Sequence, residues 1–332
     1  MTMWTGQLGA NRKAAMHKLP VTWAEAARIP DAWPSNWGKT PAHLPLMNTC
    51  MNADCNTSWL RLWRRRNVPR FEGQWACSAD CMRVLIENAV ERELGDGTPL
   101  EPKQHKHRIP IGLLMLSQGW ITQEQLRRAL DAQREAGGKA RIGKWLMQQC
   151  NLSEEQVTRA LSMQWGCPVL SFSGQAPETM STLIPRLLLD AYGMVPLRNG
   201  SGRLAYLAFE DRVDSSVALA AERMNGVHIE PGVVTASQFL RVQQRLMRAR
   251  FPKTQLLQAR SSSAIAREVA AVIERVRPHQ AKLVRMHCYF WLRLWHHPAP
   301  PLPAAGPHIS SVSPVPRIHQ VEDVLIRFQP EE

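Results

Sequence analysis

The chain has 332 residues and carries 41 Lys and Arg against 28 Asp and Glu, a formal net charge of +13. At 44% hydrophobic and 21% charged residues it has the composition of a folded globular protein, which excludes wholesale disorder. No apolar run approaches the ~18–20 residues of a membrane-spanning helix, and the N-terminal residues lack the apolar core of a secretory signal, so a soluble, cytoplasmic protein of two or three domains is the expectation. The charge is uneven. It is +4 over residues 1–107, +3 over 108–247 and +6 over 248–332, and residues 248–295 alone hold ten basic and two acidic side chains. A C-terminal surface for an acidic partner follows as an expectation.

Residues 1–46 show no sustained period and read as a weakly ordered arm, with Met47 a candidate translation start. Residues 47–98 form a cysteine-bearing unit, and 99–110 a polar, proline-containing linker. Residues 111–172 are helical. After a break at 174–182, residues 183–247 turn mixed. Strands are predicted at MVPL (194–197) and RLAYLAF (203–209), a helix at 215–225 ended by Gly226, a short strand in VHIEPGVV and a helix over 237–247. In the last segment, 261–332, Ile265, Val269, Val272, Ile273 and Val276 share a helical face stopped by Pro278. VRMHCYFWLRLW (284–295) alternates like one strand, and VEDVLIRFQ (321–329) reads as another. The stretch 298–316 between them has seven prolines, so a long-looped antiparallel pair is expected.

Of seven cysteines, four fall in two pairs, Cys50-x4-Cys55 and, 21 residues on, Cys77-x3-Cys81. Zinc takes four soft donors in a tetrahedron, usually from two closely spaced pairs, so the four are the candidate ligands of one structural zinc. The alternative is four unrelated buried thiols. Ser78 is placed to N-cap the following helix, which puts Cys81 in a first turn where free N–H groups favour a thiolate. WACSADC resembles the second half of treble-clef-like zinc fingers. Between the pairs, WLRLWRRRNVPR (59–70) carries five Arg and two Trp, which could grip nucleic-acid phosphates or form a solvated face. Cys150, Cys167 and Cys288 read as small core residues. His105, His107, His287, His296 and His297 have no acidic partner near in sequence.

Residues 111–164 contain a repeat at an offset of 31. Ile111-Gly112 aligns with Ile142-Gly143, Met115-Leu116 with Leu146-Met147, and Ile121 with Leu152. Leu126 aligns with Val157, Ala129-Leu130 with Ala160-Leu161, and Gln133 with Gln164. Each copy reads as a short helix, a turn and a longer helix opened by a capping box, Thr122-x-x-Gln125 or Ser153-x-x-Gln156. Gly119 and Gly137-Gly138 are placed to end helices. The leucines read as core. The polar Gln closing the apolar stripe in both copies is not explained by a core.

The duplicated pattern of (Arg/Lys)-Leu-Gly, two aliphatics, Gly, two aliphatics and Leu-x3-Leu-x2-Gln resembles the N-terminal MshEN-type domain of type II secretion and type IV pilus ATPases (GspE/PilB/MshE-like). The resemblance covers about residues 111–247, the α/β part included. It implies cyclic di-GMP as ligand, with each copy taking half of the two-fold molecule. The implied contacts are Arg108, Ile111, Gly112, Met115, Leu126, Leu130 and Gln133 from the first copy. From the second they are Arg141, Ile142, Gly143, Leu146, Leu161 and Gln164. The first copy has Pro110 where the pattern has Arg, and the second has Cys150 where it has Gly. The phosphate loop G-x-x-x-x-G-K-[ST] does not occur, so no ATP and no enzymatic activity are expected.

The fold class expected is therefore α+β: a zinc finger, a helical repeat pair with a small α/β module, and a C-terminal helix with two strands. The function expected is a non-enzymatic adaptor that senses cyclic di-GMP in a secretion or pilus context. Two alternatives stand beside it, a nucleotide-independent docking module for a secretion or pilus protein, and a zinc-finger nucleic-acid binder.

Overall fold

The computed structural model describes residues 50–55, 69–102, 108–138, 140–172, 177–198, 204–297 and 318–330. The arm 1–46, most of the Arg-rich segment 59–70, His105, His107 and the proline-rich stretch 298–316 lie outside the described residues. The fold is mixed α+β, with helices and two sheets.

The first strands are two residues each, β1 (Arg70–Phe71) and β2 (Gln74–Trp75), joined by Glu72-Gly73, both at positive φ. That is the backbone a two-residue hairpin turn requires. Helix α1 (Ala79–Gly95) follows, with Ser78 accepting a hydrogen bond from the Cys81 amide. The repeat supplies α2 (Ile111–Ser117), α3 (Gln123–Glu135), α4 (Ile142–Cys150) and α5 (Glu154–Trp165), and both expected capping boxes are closed. Gly119, Gly137 and Gly138 have positive φ, as their placement at helix ends predicts. In the second copy, where Cys150 stands in place of glycine, the left-handed residue is Asn151 one position on.

The α/β part contains α6 (Arg186–Tyr192), β3 (Met194–Arg198), β4 (Leu204–Phe209), α7 (Ser215–Asn225), β5 (His228–Val233) and α8 (Ala236–Met247). Its sheet runs β3-β4-β5, and Val169 extends it by a parallel bridge to Val233. The remaining elements are β6 (Lys253–Ala259), α9 (Ser262–Val276), β7 (Gln280–Met286), β8 (Tyr289–Trp295) and β9 (Val321–Phe328).

Two sequence expectations change here. The alternating run 284–295 is not one strand but the second part of a hairpin that turns at His287-Cys288, with Met286 facing Tyr289. The turn hides in the pattern because apolar residues continue through it. Val284 and Met286 pack toward the α/β part, whereas Phe290, Leu292 and Leu294 pack on the opposite face. The expected antiparallel pairing with 321–328 is present as β8–β9, but it lies inside a six-stranded sheet of order β2-β1-β7-β8-β9-β6. The cysteine-bearing unit and the C-terminal segment, separate in the sequence reading, thus share a sheet. β1 runs parallel to β7, and α1 packs on α9 in one apolar core.

Because both faces of β7–β9 are covered, polar groups there must find partners inside. Arg293 and Asp323 are register partners, fully buried, and joined by hydrogen bonds of 2.8 and 2.9 Å. Asp323 also accepts from Trp291 Nε1 at 2.7 Å, and Arg293 donates to Asn225 Oδ1 and Leu183 O in the α/β part. Arg285 donates to the carbonyls of Glu93, Leu94 and Thr98, satisfying the end of α1. The fully buried Glu93 is met by Arg92, Arg223 and the Arg285 amide.

His287 has no acidic partner near in sequence, but the fold brings it one from 73 residues away. Its Nε2 lies 2.7 Å from Asp214 and its Nδ1 2.9 Å from Pro99 O. Both partners are acceptors, so the ring binds both only as the imidazolium. Burial opposes charging the ring, but the Asp214 and Pro99 bonds outweigh it and raise its pKa above the ordinary 6.5. Burial likewise opposes ionising Asp214, and His287 with two backbone amides overcomes that and holds its pKa below the ordinary 3.8.

Two predictions follow from these contacts. Arg293→Met, which strands Asp323, lowers unfolding free energy by about 3–5 kcal/mol in urea denaturation, and the double variant Arg293→Met/Asp323→Leu loses less. His287→Gln lowers stability most between the unfolded values of Asp214 and His287, 3.8 and 6.5. The raised His287 pKa gives stability that is lost as pH rises through the folded value. The depressed Asp214 pKa gives stability that is lost as pH falls. Denaturation from pH ~5 to ~9 therefore shows the wild-type advantage shrinking toward the alkaline end.

Candidate functional site

The four paired cysteines converge. A tight turn at 50–55, closed by Cys55 N–H donating to Asn52 O, holds the first pair. The β1–β2 hairpin and the start of α1 hold the second. All four sulfurs lie within 4.8 Å of one another, with 3.4 Å between Cys55 and Cys77 and 3.6 Å between Cys77 and Cys81. A tetrahedron with metal–sulfur bonds of about 2.3 Å needs sulfurs roughly 3.8 Å apart, so the set fits a tetrahedral metal. Donors already point at two sulfurs: the Cys77 amide at Cys50 Sγ (3.4 Å) and Asn52 Nδ2 at Cys81 Sγ (3.5 Å). The Ser78 and Asn52 hydrogen bonds hold the Cys81 thiol below its usual pKa, whereas burial raises Cys50 to about 11. These four residues could hold a metal ion.

The repeat explains its glutamines. Gln133 Nε2 donates to Ala140 O and Gln164 Nε2 to Ile109 O, both at 2.7 Å. Ile109 and Ala140 are equivalent positions, so each glutamine binds the backbone just ahead of the other copy's first helix. The helices pair in the same crossed way, α3 on α4 and α2 on α5. Met115 and Leu146 are fully buried at the centre, and Ala129 and Ala160 pack there too. Gly112 lies under its own copy's Leu126, where an added Cβ would meet Cδ1 at 2.5 Å.

Beside this bundle lies a cleft of about 440 Å³. Six of the sequence-predicted ligand residues line it: Ile111, Arg141, Ile142, Gly143, Leu161 and Gln164. Arg108 stands at its edge. Its guanidinium lies 3.9 Å over the ring of Trp165, a lining residue, and donates to Gln164 O. Gly112, Met115, Leu126, Leu130, Gln133 and Leu146 do not line it. The cleft thus gathers the second copy's motif, while most of the first copy's is spent on packing.

The opposite wall was not legible in the sequence. It comes from Glu210, Asp211 and Arg212, in the loop between β4 and α7, and from Ala236. The charged run after the apolar strand in LAFEDR was the available signal. Arg141, at the N-terminus of α4, pairs with Asp211 at 3.0 Å and Glu210 at 3.4 Å. The lining holds three cations, Arg141, Lys144 and Arg212, and three carboxylates, Glu154, Glu210 and Asp211. Glu154 reaches across to the Ser237 hydroxyl.

The two walls are fixed by a backbone seam. Leu170 N–H donates to Val233 O, and Val233 N–H donates to Pro168 O. Gly232 lets the segment come this close, since an added Cβ would lie 2.7 Å from Leu170 Cγ and 2.9 Å from Pro168 O.

No family model matches this chain. Over 132 residues, 39% of the chain, it is 26% identical to the type IV pilus assembly ATPase PilB of Thermus thermophilus. That stretch is 15% of the relative's length, so the chain spans a small part of the protein it resembles. A solved structure of MshE with cdg (cyclic di-GMP) is 23% identical, covering 42% of this chain and 99% of its own. Its TM-score of 0.33 is too low to establish a common architecture. The chain is therefore a mixed α+β protein that contains a stretch similar to part of a type IV pilus ATPase.

Gly232→Ala forces the 168–170 segment off the sheet. A loss of about 1–3 kcal/mol in urea denaturation is expected, together with faster amide exchange at Leu170 and Val233.

Proposed function

We propose that residues 108–247 form a regulatory module that binds cyclic di-GMP in the cleft between α4, α5 and the β4–α7 loop. The module belongs to a non-enzymatic adaptor of a type IV pilus or type II secretion apparatus. One observation carries the reading: the second copy's Arg141, Ile142, Gly143, Leu161 and Gln164 converge on one cleft, in a chain with partial similarity to a pilus ATPase. The chemistry agrees with a nucleotide. Ile111, Ile142 and Leu161 offer flat aliphatic walls for a base. Gly143 lines the cleft in the first turn of α4, where free backbone N–H groups suit a phosphate. Arg141 supplies a charge-assisted donor once it exchanges its carboxylates for the ligand.

Calorimetric titration with cyclic di-GMP tests this. Binding is expected, and Arg141→Ala weakens it roughly ten- to a hundredfold. Absence of heat up to high-micromolar ligand ends the reading.

One observation favours a second reading, docking on a pilus or secretion protein without a nucleotide. The three carboxylates of the cleft balance its three cations and already hold Arg141, so an anion gains little from the local field. Capture of such a component from extracts, unchanged by added nucleotide, supports it.

In the same proposal, Cys50, Cys55, Cys77 and Cys81 bind one zinc ion that stabilises the end of the six-stranded sheet. The support is four soft thiol donors at tetrahedral spacing. Metal analysis then gives about one zinc per chain, lost in Cys77→Ser with a fall in thermal stability.

A further inference from the structure

Strand β6 ends the six-stranded sheet, and among the described residues its outer edge has no partner. It pairs only with β9, in parallel and without interruption from Lys253↔Glu322 to Ala259↔Phe328. The direction of its backbone groups is fixed by one bond, Gln329 N–H to Ala259 O. In a strand the N–H and C=O of one residue point the same way, and the next residue's point the opposite way. Ala259, Leu257, Gln255 and Lys253 therefore face β9, and Thr254, Leu256 and Gln258 turn their amides and carbonyls outward.

Exposed strand edges are normally blunted by an inward charge, a proline, a bulge or a covering element. Among the described residues, none of these protects the middle of β6. Pro252 precedes the strand, the register has no bulge, and the one lysine, Lys253, sits at the first position and pairs with Glu322 at 3.1 Å. At the centre, Leu256 is 48% exposed.

The sequence flanking this strand is one-sided in charge. Residues 231–267 contain seven basic side chains and no acidic one. Arg245 and Lys253 are engaged by Glu178 and Glu322. Arg248 and Arg250 are exposed just before β6, and Arg260 is exposed just after it.

We infer that the β6 edge is a docking site for an extended acidic polypeptide, which adds as a seventh strand. Its backbone pairs with Thr254, Leu256 and Gln258, an apolar side chain covers Leu256, and its carboxylates meet the arginines at both ends. A second copy of this chain is the poorer occupant, because β6 against β6 brings both sets of arginines together.

The full-length protein tests this with three labelled peptides of about eight residues. One alternates Val with Glu, one alternates Val with Lys, and the third is the Glu peptide N-methylated at alternate residues. Fluorescence anisotropy reads binding, and amide exchange reads protection at residues 254, 256 and 258. The Glu peptide is expected to bind and protect these amides, with affinity at least tenfold lower after N-methylation. Leu256→Glu lowers it similarly and leaves the fold intact, because that side chain points to solvent. Gln258→Pro, which removes one outward donor, is the second variant and also weakens binding. Four outcomes overturn the inference: no protection of the three amides, equal binding of the Glu and Lys peptides, indifference to N-methylation, or concentration-dependent protection without peptide. The last would mean pairing between copies.

Discussion

The hairpin β7–β8 and its neighbour β9 are covered on both faces, and most of the structure answers to that constraint. One face takes α1 and α9, and the other takes the α/β part through Val284, Met286, Trp291 and Leu325. A strand trio buried on both sides has no solvent to satisfy a polar side chain. Arg293, Asp323 and Arg285 must therefore bind within the protein, and what they bind are the ends of other segments: Leu183, Asn225, Thr98 and the last turn of α1. Buried ion pairs of this kind add little net stability over apolar residues, but they penalise any arrangement that leaves them unpaired. Here they fix which elements lie on which face.

The helical repeat is attached differently. It touches the α/β part along the 168–170 segment, through Glu154 to Ser237, and through Arg141 to Glu210 and Asp211. The first of these is backbone pairing, backed by Leu161 and Trp165 of α5 packing on the α/β core. The last two are polar contacts between partly exposed side chains, individually weak in water. The cleft is thus bounded by one fixed seam and one exchangeable wall, an arrangement suited to a ligand or segment that replaces ion pairs without disturbing the cores.

Much of this was legible locally. Helices with capping boxes and the two cysteine pairs depend on residues a few positions apart, and those features stand where the sequence puts them. What could not be read depends on distant partners. His287 looked isolated because Asp214 is 73 residues away. The hairpin turn at His287-Cys288 was hidden because burial on both faces leaves no polar side to mark it. β6 (KTQLLQA) escaped notice for the opposite reason, since an edge strand buries too little to show an apolar alternation. The strands β1 and β2 are too short to carry any pattern. Part of the C-terminal positive charge also proved internal. Arg285 and Arg293 are buried, and Lys282 is half-buried with its amine on Arg223 O, which leaves the exposed basic surface concentrated around residues 248–277.

The crossed glutamines bear on how such a module comes to exist. Gln133 and Gln164 each close a bond that belongs half to one repeat and half to the other. A single repeat cut from the chain keeps a donor and an acceptor that cannot reach each other. Two separate copies meeting about a two-fold axis would satisfy both at once. The two repeats are thus joined as reciprocal halves, each completing the other. Their linkage frees the two halves to diverge, and they have done so: one half lines the cleft with Arg141, and the other has Pro110 in its place.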